Sequence, residues 1–85
     1  MSRGLGRWQR ELLTALYEHP SVAPSGVRYV HPQDWLRNRL DREPTPAEES
    51  AVYRAARSLA AHGWARADGY AGARLVPMPE EHRPT

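Results

Sequence analysis

The sequence predicts an α+β fold, mainly α, with three helices followed by a short β-hairpin. Three observations carry that expectation. Trp8, Leu12, Leu13, Leu16 and Tyr17 recur at spacings of three and four, the mark of one buried helical face. Thr45-Pro46-Ala47-Glu48 has the pattern of a reciprocal helix start and leads into an alanine-rich stripe. Beyond Gly63, the short segments Trp64–Arg66 and Ala73–Val76 flank six residues containing Asp68-Gly69, a pair that favours a tight reversal.

The elements follow in order. Residues 1–6, with two glycines and no apolar period, read as a flexible basic arm. The first helix starts at Arg7 and stops at His19-Pro20, because the residue before proline disfavours the helical region. The stretch from Ser21 to Gly26 reads as a loop. Val27–Val30 is β-branched and aromatic and fits a strand. His31-Pro32-Gln33-Asp34 starts a second helix, with Trp35, Leu36 and Leu40 as its buried side, ending before Glu43-Pro44. The third helix places Ala47, Ala51, Val52, Ala55, Ala56, Leu59 and Ala60 on one stripe and ends at Gly63. The organised unit is expected over residues 7–76, and 77–85, polar and broken by prolines, as a flexible tail. Trp8, Trp35 and Trp64 are expected in the core.

With 85 residues the chain holds one domain with a modest core. The absence of cysteine removes disulfides and thiolate metal sites. No apolar run is long enough to span a membrane, and the opening residues lack the apolar middle of a signal peptide, so a cytoplasmic protein is the expectation. Net charge is only +2, but all twelve basic residues are arginine. Base composition explains much of that bias, so distribution carries more meaning than count. Arg3, Arg7 and Arg10 crowd the start, while Asp41, Glu43, Glu48 and Glu49 surround Arg42. Segregated charge creates a usable field on a nearly neutral molecule. The four histidines show no spacing that joins two of them on one helix, so no metal site is expected. No nucleophile–base pair, carboxylate pair or phosphate-cradling loop can be assembled either, so neither enzyme nor cofactor is expected.

The order helix, strand, helix, helix, strand, turn, strand resembles the winged helix-turn-helix domains of bacterial transcription regulators. The likeness is carried by Ala51-Val52-Tyr53-Arg54-Ala55-Ala56-Arg57-Ser58-Leu59-Ala60-Ala61-His62-Gly63-Trp64-Ala65: an arginine-studded stretch, a leucine, a glycine, then an apolar first strand. The opening Gly4-Leu5-Gly6-Arg7-Trp8-Gln9-Arg10-Glu11-Leu12-Leu13 is similar to small proteins of actinobacteria and of their phages or mobile elements. The resemblance implies binding of double-stranded DNA, in transcription regulation or as a replication or recombination accessory factor near the nucleoid. It departs from the usual pattern at Asp41, Glu43, Glu48 and Glu49, which lie where phosphates approach in many members, and no effector-sensing domain accompanies it.

Under that resemblance Ser50, Tyr53, Arg54 and Arg57, at i, i+3, i+4 and i+7 opposite the alanine stripe, would meet base edges in the major groove, where an arginine fork grips guanine. Any amphipathic helix also has a solvated charged face. Arg66 and Arg74 on the hairpin, with Tyr70 near its tip, would reach phosphates or a narrow minor groove; they are equally the outward half of two alternating strands. Arg3 and Arg7, with Arg10, would serve as a phosphate-contacting arm or simply be solvated. A single module buries roughly 600–1,000 Å², which points to a homodimer or tandem copies. A protein–protein module, such as an anti-regulator or phage-encoded host modifier, is the alternative suggested by the acids at 41–49.

Overall fold

A computed structural model describes residues 6–69 and 73–84. Three helices, α1 (Arg7–Glu18), α2 (Pro32–Leu40) and α3 (Pro46–Ala61), pack with two antiparallel ribbons. The first ribbon pairs β1 (Ser21–Val22) with β2 (Arg28–Tyr29), and the second pairs β3 (Ala65–Asp68) with β4 (Arg74–Pro77). This is the expected mainly helical α+β architecture, three helices with a β-hairpin.

Each helix boundary has a local cause. At the start of α1 the Gly6 N–H donates to Gln9 Oε1 at 2.7 Å, which satisfies one of the orphan donors of a helix start. Pro32 occupies the first turn of α2, and Asp41 closes that helix in the left-handed region at φ 56°. The α3 start is reciprocal: Glu48 N–H donates to Thr45 Oγ1 at 3.1 Å and Thr45 N–H donates to Glu48 Oε1 at 2.8 Å. At its end Trp64 N–H reaches Leu59 O at 2.9 Å and Gly63 N–H reaches Ala60 O at 3.3 Å, with Gly63 at φ 83°. That pair of bonds needs a left-handed residue between them, which only glycine supplies without cost.

Of the turn-rich loop expected at 21–26, residues 23–26 do form the turn, but Ser21 and Val22 pair as a strand. Ser21 opposes Tyr29 and Val22 opposes Arg28. Gly26 N–H donates to Ala23 O and Ala23 N–H to Val27 O, both at 2.8 Å. Pro24 at the second position of the turn and Gly26 at the fourth, with φ 89°, suit that reversal. Val30 and Leu75 exchange two backbone bonds of 2.9 and 2.8 Å, so β2 leans on β4 at one bridge. The spatial order is therefore β1, β2, β4, β3, and the ladder of the second hairpin sets Ala67 against Leu75 and Asp68 against Arg74.

The core is built of smaller side chains than expected. Leu12, Leu16, Leu36, Leu59 and Val52 are its largest fully buried members, with Ala55, Ala56, Val30, Leu75 and Val76 around them. Trp8, Trp35 and Trp64 are only partly buried and pack on this cluster from its rim, a correction to their expected central place. An indole carries a polar N–H, and the rim keeps it near water while its carbon face covers leucine. Trp8 meets Trp35 edge-to-face, with centroids 6.1 Å apart and planes at 89°. The stripe on α3 is also narrower than expected: Val52, Ala55, Ala56 and Leu59 are buried, Ala51 and Ala60 half-buried, and Ala47 exposed.

The residues after β4 are attached at specific points. The Tyr17 hydroxyl donates to Trp64 O at 2.6 Å and accepts the Met78 N–H at 3.0 Å. Arg83 lies over the Tyr17 ring at 4.2 Å and donates to Met78 O at 3.0 Å. A 3-10 turn at Glu80–His82 carries the chain between those contacts.

Candidate nucleic-acid interface

Helix α3 turns its apolar stripe to the core and leaves Ser50, Arg54 and Arg57 exposed, with Tyr53 at 37% exposure. The four residues singled out on this helix therefore share one solvent-facing side. Neither Arg54 nor Arg57 has an acid within ion-pair distance among the described residues, in contrast to Arg37, Arg39 and Arg42. Arg37 lies 3.7 Å from Asp34 and 3.6 Å from Glu43, Arg39 is 2.9 Å from Glu11, and Arg42 is 2.7 Å from Glu48.

A cleft of about 420 Å³ separates this face from the β3–β4 hairpin, with Tyr53 and Arg57 on one wall and Ala67, Ala73 and Leu75 on the other. Ala67 and Leu75 oppose each other in the ladder, so strand alternation places Arg66 and Arg74 on the other face of the hairpin. Arg66 is exposed, with no acid within ion-pair distance among the described residues. Arg74 is committed within the hairpin, 3.4 Å from Asp68 and over the Tyr29 ring at 5.2 Å. Arg7 is 3.1 Å from Glu11 and stacks over Trp8 at 4.4 Å, yet it also lines a groove of about 310 Å³ shared with Arg54, Ala51 and Ser58. Gln9 ties the two walls of that groove by donating to Ser58 Oγ at 2.8 Å. Arg3 and Tyr70 lie outside the described residues. Arg10 is exposed on α1.

The acids expected to oppose phosphates are largely engaged. The Arg42 guanidinium donates to both oxygens of Glu48 at 3.0 and 2.7 Å, and the Thr45 N–H adds a third bond. The Arg42 bonds, followed by that backbone bond, pull the Glu48 carboxyl down from the ordinary 4.5 to about 2. Glu49 accepts a bond from the Gln33 side chain at 3.3 Å, and Gln33 in turn accepts from the Tyr53 hydroxyl at 3.2 Å. Gln33 is a site residue that sequence reasoning passed over. Nothing in a glutamine one residue after Pro32 signals a bond to a helix that begins thirteen positions later.

Two other concavities lie elsewhere. A groove of about 600 Å³ between α1 and α2 is lined by Arg10, Glu11, Thr14, His19, Trp35 and Arg39. Another, of about 250 Å³, brings His19 and His31 to one cleft with Asp34, which their distance in the sequence did not suggest. Among the described residues no three histidine or acidic side chains converge as a metal site would require, and no helix is long and apolar enough to cross a membrane.

No family model matches the chain, and no curated protein or solved structure compared with it matches either.

Proposed function

We propose that this protein binds double-stranded DNA sequence-specifically as a small winged-helix domain, serving transcription regulation or replication and recombination. The observation that carries the reading is the unpaired state of Arg54 and Arg57 on an exposed helix face bordered by a hairpin. An arginine with no acid at hand keeps all its donors for a ligand, and its planar fork matches guanine O6 and N7. The packing of β3 on α3, with the cleft between Arg57 and the β3–β4 hairpin, supports the same reading, since it sets the hairpin beside the exposed face. Ser50, Tyr53, Arg54 and Arg57 would read base edges; Arg66 and Arg3 of the arm would neutralise phosphates, while Arg7, at the start of α1 and already paired with Glu11, would exchange that partner for a phosphate. Because Arg74 is already held by Asp68 and Tyr29, its part is to stiffen the hairpin and add field. One module offers limited contact area, so a homodimer or paired copies on adjacent half-sites would supply useful affinity.

Selection of bound duplexes from a random pool tests this directly. The wild-type chain should enrich a definite motif, and Arg54→Ala with Arg57→Ala should abolish the enrichment. Enrichment that survives the double change would mean that another face reads the duplex.

A second reading, a protein–protein module, has one observation in its favour: the groove between α1 and α2, with the half-buried Trp35 on its wall and arginines at its margin. Capture of one stoichiometric protein partner, with no shift of random duplex in a gel, would favour it over DNA binding.

A further inference from the structure

The first turn of α3 poses a problem for any phosphate-facing role, because it carries two carboxylates, Glu48 and Glu49. An uncompensated negative charge about 6 Å from a phosphate weakens binding about threefold even in a water-like dielectric. Glu48 is neutralised where it stands by Arg42. Glu49 has no cation within ion-pair distance among the described residues. It sits one helical turn before Tyr53 on the same row, at the flank of the exposed face, and rotation of its side chain is enough to bring the carboxylate onto that face.

What holds Glu49 aside is an uncharged residue of a different helix. Gln33, half-buried in the first turn of α2, uses both ends of its amide. Its Nε2 donates to Glu49 Oε2 at 3.3 Å, and its Oε1 accepts from the Tyr53 hydroxyl at 3.2 Å. The two bonds point to residues four apart on α3, so one side chain fixes a carboxylate and a phenol together. An amide is suited to this because it offers a donor and an acceptor on one planar group, whereas a lysine would give only donors and a glutamate only acceptors.

We propose that Gln33 is a positioning residue for the duplex-reading face, drawing the Glu49 carboxylate toward α2 and away from incoming phosphates. This rests on the DNA-binding reading above. Gln33 itself need touch no nucleic acid. Its effect is electrostatic and passes through Glu49.

The test uses four versions of the 85-residue chain: wild type, Gln33→Ala, Glu49→Gln, and the double variant. Each is titrated with a fluorescent mixed-sequence duplex of about 20 base pairs at about 50 and about 300 mM salt, conditions between which exposed charge effects are largely screened. Gln33→Ala should weaken binding about threefold at low salt and by much less at high salt. On the Glu49→Gln background the same change should have no effect. Glu49→Gln alone should bind less than about twofold better than wild type, since a carboxylate turned aside keeps only a screened remnant of its repulsion. Improvement of about threefold or more by Glu49→Gln alone would overturn the proposal, because it would show that the carboxylate already faces phosphate. A loss from Gln33→Ala that persists at high salt or in the double variant would overturn it too, since that pattern belongs to a misplaced Tyr53 alone. Wild-type binding with any of these results leaves the DNA-binding reading standing; no wild-type binding at either salt removes both.

Discussion

Partnering separates the arginines of this chain into two groups. Arg7, Arg37, Arg39, Arg42 and Arg74 each lie within 4 Å of an acid, whereas Arg54, Arg57 and Arg66 have none within that reach among the described residues. Removing a paired arginine strands a carboxylate, and removing an unpaired one changes only what the surface offers. Arg74→Ala is therefore expected to lower stability by several tenths of a kcal/mol, as for an exposed pair with an added ring contact, whereas Arg66→Ala should leave it unchanged. Thermal melts of the two variants, read beside their duplex affinities, check the division. Glu48 gives a second residue-level prediction. Its carboxyl titrates near 2 in the folded chain and near the ordinary 4.5 when unfolded, so its contribution is complete above about pH 4.5 and fades as pH falls toward 2. Glu11 adds to this in the same direction: its slight burial works to raise its pKa, but the Arg7 and Arg39 bonds outweigh that and leave it lowered. Urea unfolding of Glu48→Gln at a series of pH values should show a shallower acid limb than wild type, and an unchanged limb would mean that Arg42 does not hold the carboxyl in solution.

Among the elements, those with local causes were legible in the sequence. The Thr45–Glu48 start, the proline entry to α2 and the glycine stop at residue 63 all concern residues within a few positions of one another. Gly63→Ala should cost about 1 kcal/mol or more: a Cβ there has room, 3.9 Å from Pro84, but the backbone sits at φ 83°, where a side chain is strained. What the sequence hid depends on partners far apart. The β1–β2 ribbon needed the bridge from Val30 to Leu75 to give its strands a neighbour. The segment after Pro77 looks like a loose polar end until Tyr17, 61 positions earlier, accepts the Met78 N–H. Tyr17→Phe keeps the ring under Arg83 and deletes only the hydroxyl, leaving Trp64 O and Met78 N–H to find water. That should cost about 1–2 kcal/mol and raise amide exchange in residues 78–83. Unaltered exchange there would show that the hydroxyl is not what fastens the segment.

At the level of the whole molecule, a net charge of +2 hides a division of labour. Asp34, Glu43 and Glu48, around α2 and the start of α3, are taken up by Arg37 and Arg42, while Arg54 and Arg57 on α3 and Arg66 on the hairpin have no acid in reach among the described residues. The shared side of Ser50, Tyr53, Arg54 and Arg57 was readable from helical spacing, because the alanine stripe left them only one direction to face. The balance of charge was not, because it depends on which acid each arginine reaches across the fold. The tryptophans mark the same limit: three large apolar residues suggest a centre, but the polar N–H of each ring and the shape of the leucine cluster place them at its edge.

The most direct measurement of the central claim is the salt dependence of duplex affinity for the wild-type chain and for the Arg54→Ala, Arg57→Ala double variant. With about five phosphate contacts, wild-type affinity should fall by two to three decades between about 50 and 200 mM salt. The double variant should melt as wild type does while losing about 1–3 kcal/mol per arginine in affinity for the selected site. A flat salt response, or equal affinity of the two proteins for that site, would contradict the account.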